Sequence, residues 1–255
     1  MTDSRQSIGI LLDIYAYGPA LKIAEREAKL SSTALYLLEM VKERRELNVA
    51  FLYTHEEKNK AIEEQYGLQL YHNEEQEEQI ANYIMDLEAK VKNAEIIDFV
   101  RSVSPILYRL FFRLAKQTLP ELESVILNAK NDQYDTWKFH EMAQLKNPVF
   151  QAYISERRTR NVTTSSLLEL LELSNLPKDT VQLMQDLRQF EKSVRNPLAH
   201  LIKPFDEAEL HRTTKFSSKI FLEKIILLAQ KAGIHYQRQP FYFNQINDII
   251  KKEWT

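Results

Sequence analysis

The chain has 255 residues, 44% of them hydrophobic, which is enough to bury one large core or two smaller ones. Four scattered glycines (Gly9, Gly18, Gly67 and Gly233) rule out G-x-G-x-x-G and P-loop phosphate turns, and the absence of cysteine rules out disulfides, thiolate zinc sites and a cysteine nucleophile. A net charge of -2 and a pI near 6.3 exclude a globally basic nucleic-acid binder, so a nucleic-acid partner needs a local basic patch.

So little glycine points to an all-α fold, because sheet-rich and phosphate-turn folds use far more of it. No apolar run approaches the roughly 20 residues of a bilayer span. The greasiest stretches, 106–114 and 220–228, are interrupted by charge. Residues 1–8 are polar and lack the basic and apolar regions of a signal peptide. Together with the missing cysteines this reads as a soluble cytoplasmic protein with no membrane partner.

In chain order, Leu11, Leu12, Ile14 and Tyr15 open an apolar segment, punctuated by Tyr17-Gly18-Pro19 before a helical pattern over residues 20–29. Ser31 and Ser32 cap the next helix, with Leu35, Leu38 and Val41 on its inner face. A segment over 55–66 ends at Gly67, a left-handed stop. The acidic run 73–79 precedes Ile80, Tyr83, Ile84 and Leu87 at helical spacing, so it reads as a solvated helix N-terminus rather than a metal site. Apolar periodicity continues through Phe99 and Val103 to Leu114, with Ser104-Pro105 as a kink or helix start.

Leu119-Pro120-Glu121 begins a further helix through Leu127, followed by a polar loop over 128–135. Trp137, Phe139, Phe150 and Tyr153 form an aromatic cluster that either stacks bases or packs under a loop. Arg157, Arg158 and Arg160 make the densest basic cluster, either an exposed helix end or a phosphate-backbone contact; Lys203 is a further weak RNA-binding candidate. The run Thr163-Thr164-Ser165-Ser166 caps the helix at 167–173. Pro177 starts a helix whose buried stripe runs Val181, Met184, Leu187, Phe190 or Glu191, and Val194. Beyond Pro204, Asp206 and Glu209 form a D-x-x-E box expected to open one long helix ending at Gly233. Pro240-Phe241-Tyr242-Phe243 with Ile246, Ile249 and Ile250 make a terminal amphipathic element.

Residues 195–200, Arg-Asn-Pro-Leu-Ala-His, put a guanidinium, an amide and an imidazole around a proline that an uninterrupted helix does not favour. The expected arrangement ends one helix near Arg195, makes Asn196 an N-cap and Pro197 the first residue of a new helix, and places His200 in its first turn. Such a helix start is an anion site with a neutral imidazole beside it. The ordinary alternative is a surface ion pair between Glu191 and Arg195 and a packing histidine.

R-N-x-x-A-H at the end of an amphipathic helix, followed by a further helix, resembles the R-x4-6-H signature of HEPN ribonucleases. More specifically, the chain resembles the C-terminal HEPN region of the CRISPR-associated ribonucleases that act beside type III-A effector complexes, the Csm-six group. Residues 15–21 resemble that family's first HEPN helix, and 96–114 its middle helices. The resemblance implies an all-α HEPN-type bundle and a homodimer in which two R-x4-H motifs face one cleft. It also implies cleavage of single-stranded RNA without metal or cofactor, giving 2′,3′-cyclic phosphate and 5′-hydroxyl ends. Arg195 then stabilises the phosphorane, His200 transfers or orients the proton, and Asn196 holds the backbone or a phosphate oxygen.

One HEPN-type domain over 1–255 is expected, with N-terminal helices at 1–70, middle helices at 71–175 and motif-bearing helices at 176–255. Full-length members bind a cyclic oligoadenylate activator on a CARF domain, a Rossmann-like sheet for which this chain has neither the length nor the strands. Two other readings stand beside the ribonuclease: a non-catalytic helical dimerisation or RNA-binding module, and a HEPN toxin restrained by an antitoxin.

Overall fold

Four of the described helices start at side-chain caps written in the sequence, at Ser31, Thr163, Asp206 and Ser217. The computed structural model describes residues 2–27, 30–128, 135–156, 159–200 and 204–254; inside helices, the side chains of residues 2, 3, 27 and 195–200 lie outside the described set. Helices α1 (Thr2–Asp13) and α2 (Tyr17–Glu27) are parted by Tyr15, whose φ is 59°. Pro19 falls in the first turn of α2, where no donor is missed. At α3 (Ser32–Arg45), Ser31 Oγ accepts from the Ala34 N–H at 3.0 Å. Next come α4 (Ala50–Thr54) and α5 (Glu56–Tyr66), the latter closed by Gly67 at φ 62°.

The acidic run opens α6 (Glu75–Lys92), with Glu75, Glu77 and Glu78 in its first turn beside the positive end of the dipole. Glu78 corrects the expectation of a wholly solvated end: it is buried and paired with Arg44. After α7 (Ile96–Arg101), Pro105 lies in the first turn of α8 (Val103–Thr118) and so marks a helix start. The helix expected over 119–127 does not form. A single 3-10 turn, Leu122–Val125, leads into β1 (Ile126–Leu127), which pairs antiparallel with β2 (Thr136–Trp137), and Lys138 N–H adds a bond to Val125 O at 2.8 Å. Pro120 lacks a donor, and β-branched Val125 and Ile126 suit the extended ladder.

The chain continues as α9 (Phe139–Gln144), α10 (Pro148–Glu156) and α11 (Thr164–Glu172), which Thr163 and Ser166 open with a capping box. Then follow α12 (Lys178–His200), α13 (Glu207–Thr214), α14 (Ser218–Lys231) and α15 (Tyr242–Lys252). Asp206 caps α13 as the D-x-x-E pattern requires, accepting from Glu209 N–H at 2.9 Å, but that helix stops at Lys215 in the left-handed region with φ 66°. Ser217 then caps α14 separately, so the long helix expected between 206 and 233 is two helices. No helix among the described residues is long and apolar enough to cross a membrane.

The contacts divide into two compact units: residues 1–93 with 234–255, and residues 94–233. In the first, α3 packs against α2 and α15 and is therefore buried on most of its circumference. Tyr17 meets Phe243 edge to face with centroids 5.3 Å apart, and Leu37 and Val41 of α3 and Ile246 and Ile250 of α15 are fully buried in the same unit. In the second, α12 packs on α14, α11 and α8. Phe190 of α12 stacks on Phe221 of α14, and Phe99 of α7 meets Phe221 edge-on at 6.1 Å.

Candidate active site

The motif rides on α12, so the clamps on that helix decide where it sits. Pro177 O accepts from Thr180 and Val181 N–H at 2.9 and 3.0 Å, fixing the first turn. Met184, Leu187, Phe190 and Val194 are buried, as the periodic stripe requires. Two ion pairs hold α12 to α14: Asp179 with Lys231 at 2.7 Å and Asp186 with Lys224 at 2.8 Å. The lysine bonds hold both carboxyls below the usual aspartate range. Towards α11, Arg188 Nε donates to Ser165 Oγ at 3.4 Å. Its Nη1 donates to Glu191 Oε2 at 3.0 Å. Glu191 is only 4% exposed, so it is a buried partner of Arg188 and no longer reads as a surface charge.

The backbone of residues 195–200 is the C-terminal part of α12, which runs on through Pro197. This corrects the expected break with Asn196 as N-cap and Pro197 as first residue. Continuing through the proline loses the bond that its absent N–H would make to Ser193 O, whereas two helix ends would orphan several carbonyls and several amides. The motif therefore occupies the carbonyl end of a helix, and the amide-rich anion site expected there is not formed. On one continuous helix Asn196 and His200, four positions apart, share a face, and Arg195 lies about 140° round from His200. The side chains of Arg195, Asn196 and His200 lie outside the described residues.

Among the basic candidates, Arg157, Arg158 and Lys203 also lie outside the described residues. Arg160 is exposed, and its carbonyl accepts from Trp137 N–H at 2.9 Å, which places it at the edge of the small strand pair just before the α11 cap. Trp137, Phe150 and Tyr153 are buried, and Trp137 meets Tyr153 edge to face at 5.7 Å, so the aromatic cluster packs rather than presenting stacking faces. Among the described residues no group of three or more His, Cys, Asp or Glu could hold a metal ion.

A second concave site has no counterpart in the sequence reading. It lies in the unit made of both chain ends, has a volume of about 250 Å³, and is bounded by the segments 67–73 and 235–242. Arg44, 1% exposed, lines it: Nη2 donates to Glu78 Oε1 at 2.9 Å and Leu70 O at 2.6 Å, and Nη1 to Asn82 Oδ1 at 3.0 Å. Its guanidinium also lies over the ring of Tyr242 at 4.5 Å. His72 and His235 meet at the same cavity with ring centroids 4.5 Å apart. No local pattern joins these segments, because the contact spans 162 residues between Asn73 and His235.

The model of the Cas_Csm6 HEPN domain matches residues 69–251, most of the chain including the motif helix. The chain belongs to this Csm6 HEPN family. Enterococcus italicus Csm6 bound to cyclic hexa-2′-fluoro-hexa-dAMP has the same fold, with a TM-score of 0.71 and 16% identity. The superposition covers 98% of this chain and 57% of that one, so the chain spans little more than half the length of its structural relative. A search of the curated proteins finds no match. The Csm6 HEPN fold accounts for the all-α architecture that the glycine-poor sequence predicts.

Proposed function

We propose that this chain is the ribonuclease part of a type III CRISPR defence system and cleaves single-stranded RNA by attack of a ribose 2′-hydroxyl on the adjacent phosphate. One observation carries this reading: the family match spans the amphipathic helix that ends in Arg195-Asn196-Pro197-Leu198-Ala199-His200. In-line attack needs stabilisation of the phosphorane charge and proton transfer to and from oxygen. Arg195 supplies the first, His200 the second, and Asn196 holds the backbone or a phosphate oxygen. A single motif supplies only part of that set, so two copies of the chain complete one cleft as a homodimer.

The products are a 2′,3′-cyclic phosphate and a 5′-hydroxyl, and the reaction needs neither metal nor cofactor. Control by cyclic oligoadenylate, the kind of ligand bound to the Enterococcus relative, would act through a CARF domain, because the described residues of this chain hold no sheet beyond β1 and β2. Arg160, with Arg157, Arg158 and Lys203, is proposed to contact the RNA backbone. The site of action is the cytoplasm.

The test is cleavage of an end-labelled single-stranded RNA by wild type, Arg195→Ala and His200→Ala, with and without EDTA. Loss of the proton-transfer group lowers the rate by about 10²–10⁴-fold, and EDTA leaves the wild-type rate unchanged. Wild-type protein that binds RNA without yielding product leaves the non-catalytic RNA-binding module standing instead.

A further inference from the structure

We propose that the cavity between segments 67–73 and 235–242 is a binding site for a single nucleobase, distinct from the cleavage motif. Its size sets the first limit. About 250 Å³ falls below the roughly 300–1,000 Å³ of sites for larger ligands, which suits one planar ring system.

Its walls set the second. His72 and His235 present exposed imidazoles in mutual contact, and Tyr71, itself against Tyr53 with centroids 4.9 Å apart, lines the cavity beside them. Such π-faces stack any base without reading its identity. The two histidine-bearing segments are tied by the Asn73 side-chain amide to the His235 backbone: Asn73 Nδ2 donates to His235 O at 3.0 Å, and His235 N–H donates to Asn73 Oδ1 at 2.8 Å. A preformed wall loses little freedom when it binds.

The polar groups set the third. Arg44 lines the cavity with its guanidinium held from below, Nη1 and Nη2 engaged by Asn82, Leu70 and Glu78, and its Nε buried without a hydrogen-bond partner and out of a ligand's reach. Gln237 and Gln245 also line it. Their amide nitrogens donate to Gln239 O and Pro240 O at 2.9 and 3.1 Å, which leaves their amide oxygens as acceptors for an exocyclic amino group. The lining carboxylate, Glu78, is bound by Arg44 and by Asn73 Nδ2, so it does not repel a nucleotide's phosphate. Acceptors and stacking faces in one small recess are what hold an unstacked base that carries an exocyclic amino group.

The binding experiment is independent of the cleavage reading. Adenosine, AMP and ribose 5-phosphate are titrated into the 255-residue chain while the imidazole resonances of His72 and His235 are followed by NMR; a hexanucleotide RNA is titrated into the His200→Ala variant of the same chain so that it stays intact. Adenosine and AMP shift both histidines and ribose 5-phosphate does not, and His72→Ala or His235→Ala weakens binding about 5- to 100-fold. Tighter binding of the hexamer with the same histidine dependence assigns the base to an RNA strand, and equal or weaker binding assigns it to a free nucleotide. Equal binding of ribose 5-phosphate and AMP, unchanged affinity in both histidine variants, or no shift with any probe overturns the proposal. Because both histidines are exposed, their alanine variants keep the buried Arg44 network, and a thermal melt matching wild type confirms it.

Discussion

The two units bury different things. The unit built from both chain ends encloses charge: Arg44, Glu78, Asp86 and Glu88 are all nearly inaccessible, with Asp86 bound by Arg45 and Lys90, and Glu88 accepting from Tyr236 OH at 2.9 Å. The unit that carries the motif is held mainly by carbon: the Phe99, Phe190 and Phe221 stack and the α12 stripe dominate it, and among the described residues Glu191 is its one buried formal charge. Buried ion pairs add little net stability but are costly to break, because the survivor is left uncompensated, whereas an aromatic stack tolerates change in proportion to lost volume. One unit is thus specified by partner identity and the other by shape.

The sharpest way to break that comparison is Arg44→Met. It leaves the buried Glu78 without its cation, with only the Asn73 side chain and the His72 and Asn73 amides to donate to it, and is expected to cost about 3–5 kcal/mol, with much of the loss recovered when Glu78 is also replaced by Met. Urea unfolding followed by fluorescence checks it. The chain has two tryptophans, Trp254 in the charge-rich unit and Trp137 in the other, so Trp137→Phe and Trp254→Phe backgrounds read the units separately. Equal shifts in both backgrounds would show that the units unfold as one.

Phe190→Leu tests the carbon-held unit and has a smaller effect. A near-conservative loss of ring volume against Phe221 is expected to cost no more than about 1.5 kcal/mol. Because Phe190 lies little more than a turn before Arg195 on the same helix, the proposed RNA cleavage is expected to fall as well, measured at a temperature where the variant is fully folded. A large stability loss with cleavage untouched would separate α12 packing from the site.

The smallest effect is one of pH. Partial desolvation on the side packed against its neighbours first, and the neighbouring His235 second, hold the otherwise exposed His72 imidazole below its ordinary value of 6.5. The folded state therefore binds fewer protons than the unfolded chain, and stability falls as pH drops through about 6.5. Melting temperatures of wild type and His72→Asn are expected to coincide near pH 8 and to diverge towards pH 5.5, with wild type losing more. Parallel curves would show that the histidine contact carries no linkage.

What the sequence by itself determined is local. Ser31, Gly67, Thr163 and Asp206 act as caps and stops within a few residues of themselves, and the 3.6-residue periodicity of Met184, Leu187, Phe190 and Val194 names a buried face without knowing its partner. The R-x4-H pattern was legible for the same reason, since six adjacent residues carry it. Tertiary structure decided what depends on distant partners. Glu78, one carboxylate in an acidic run, turns inward because Arg44 waits for it, and Pro197 stays inside a helix because continuing leaves fewer backbone groups unbonded than stopping. His72 and His235 face each other only because segments from opposite ends of the chain close one unit, and periodicity carries no information across such a distance.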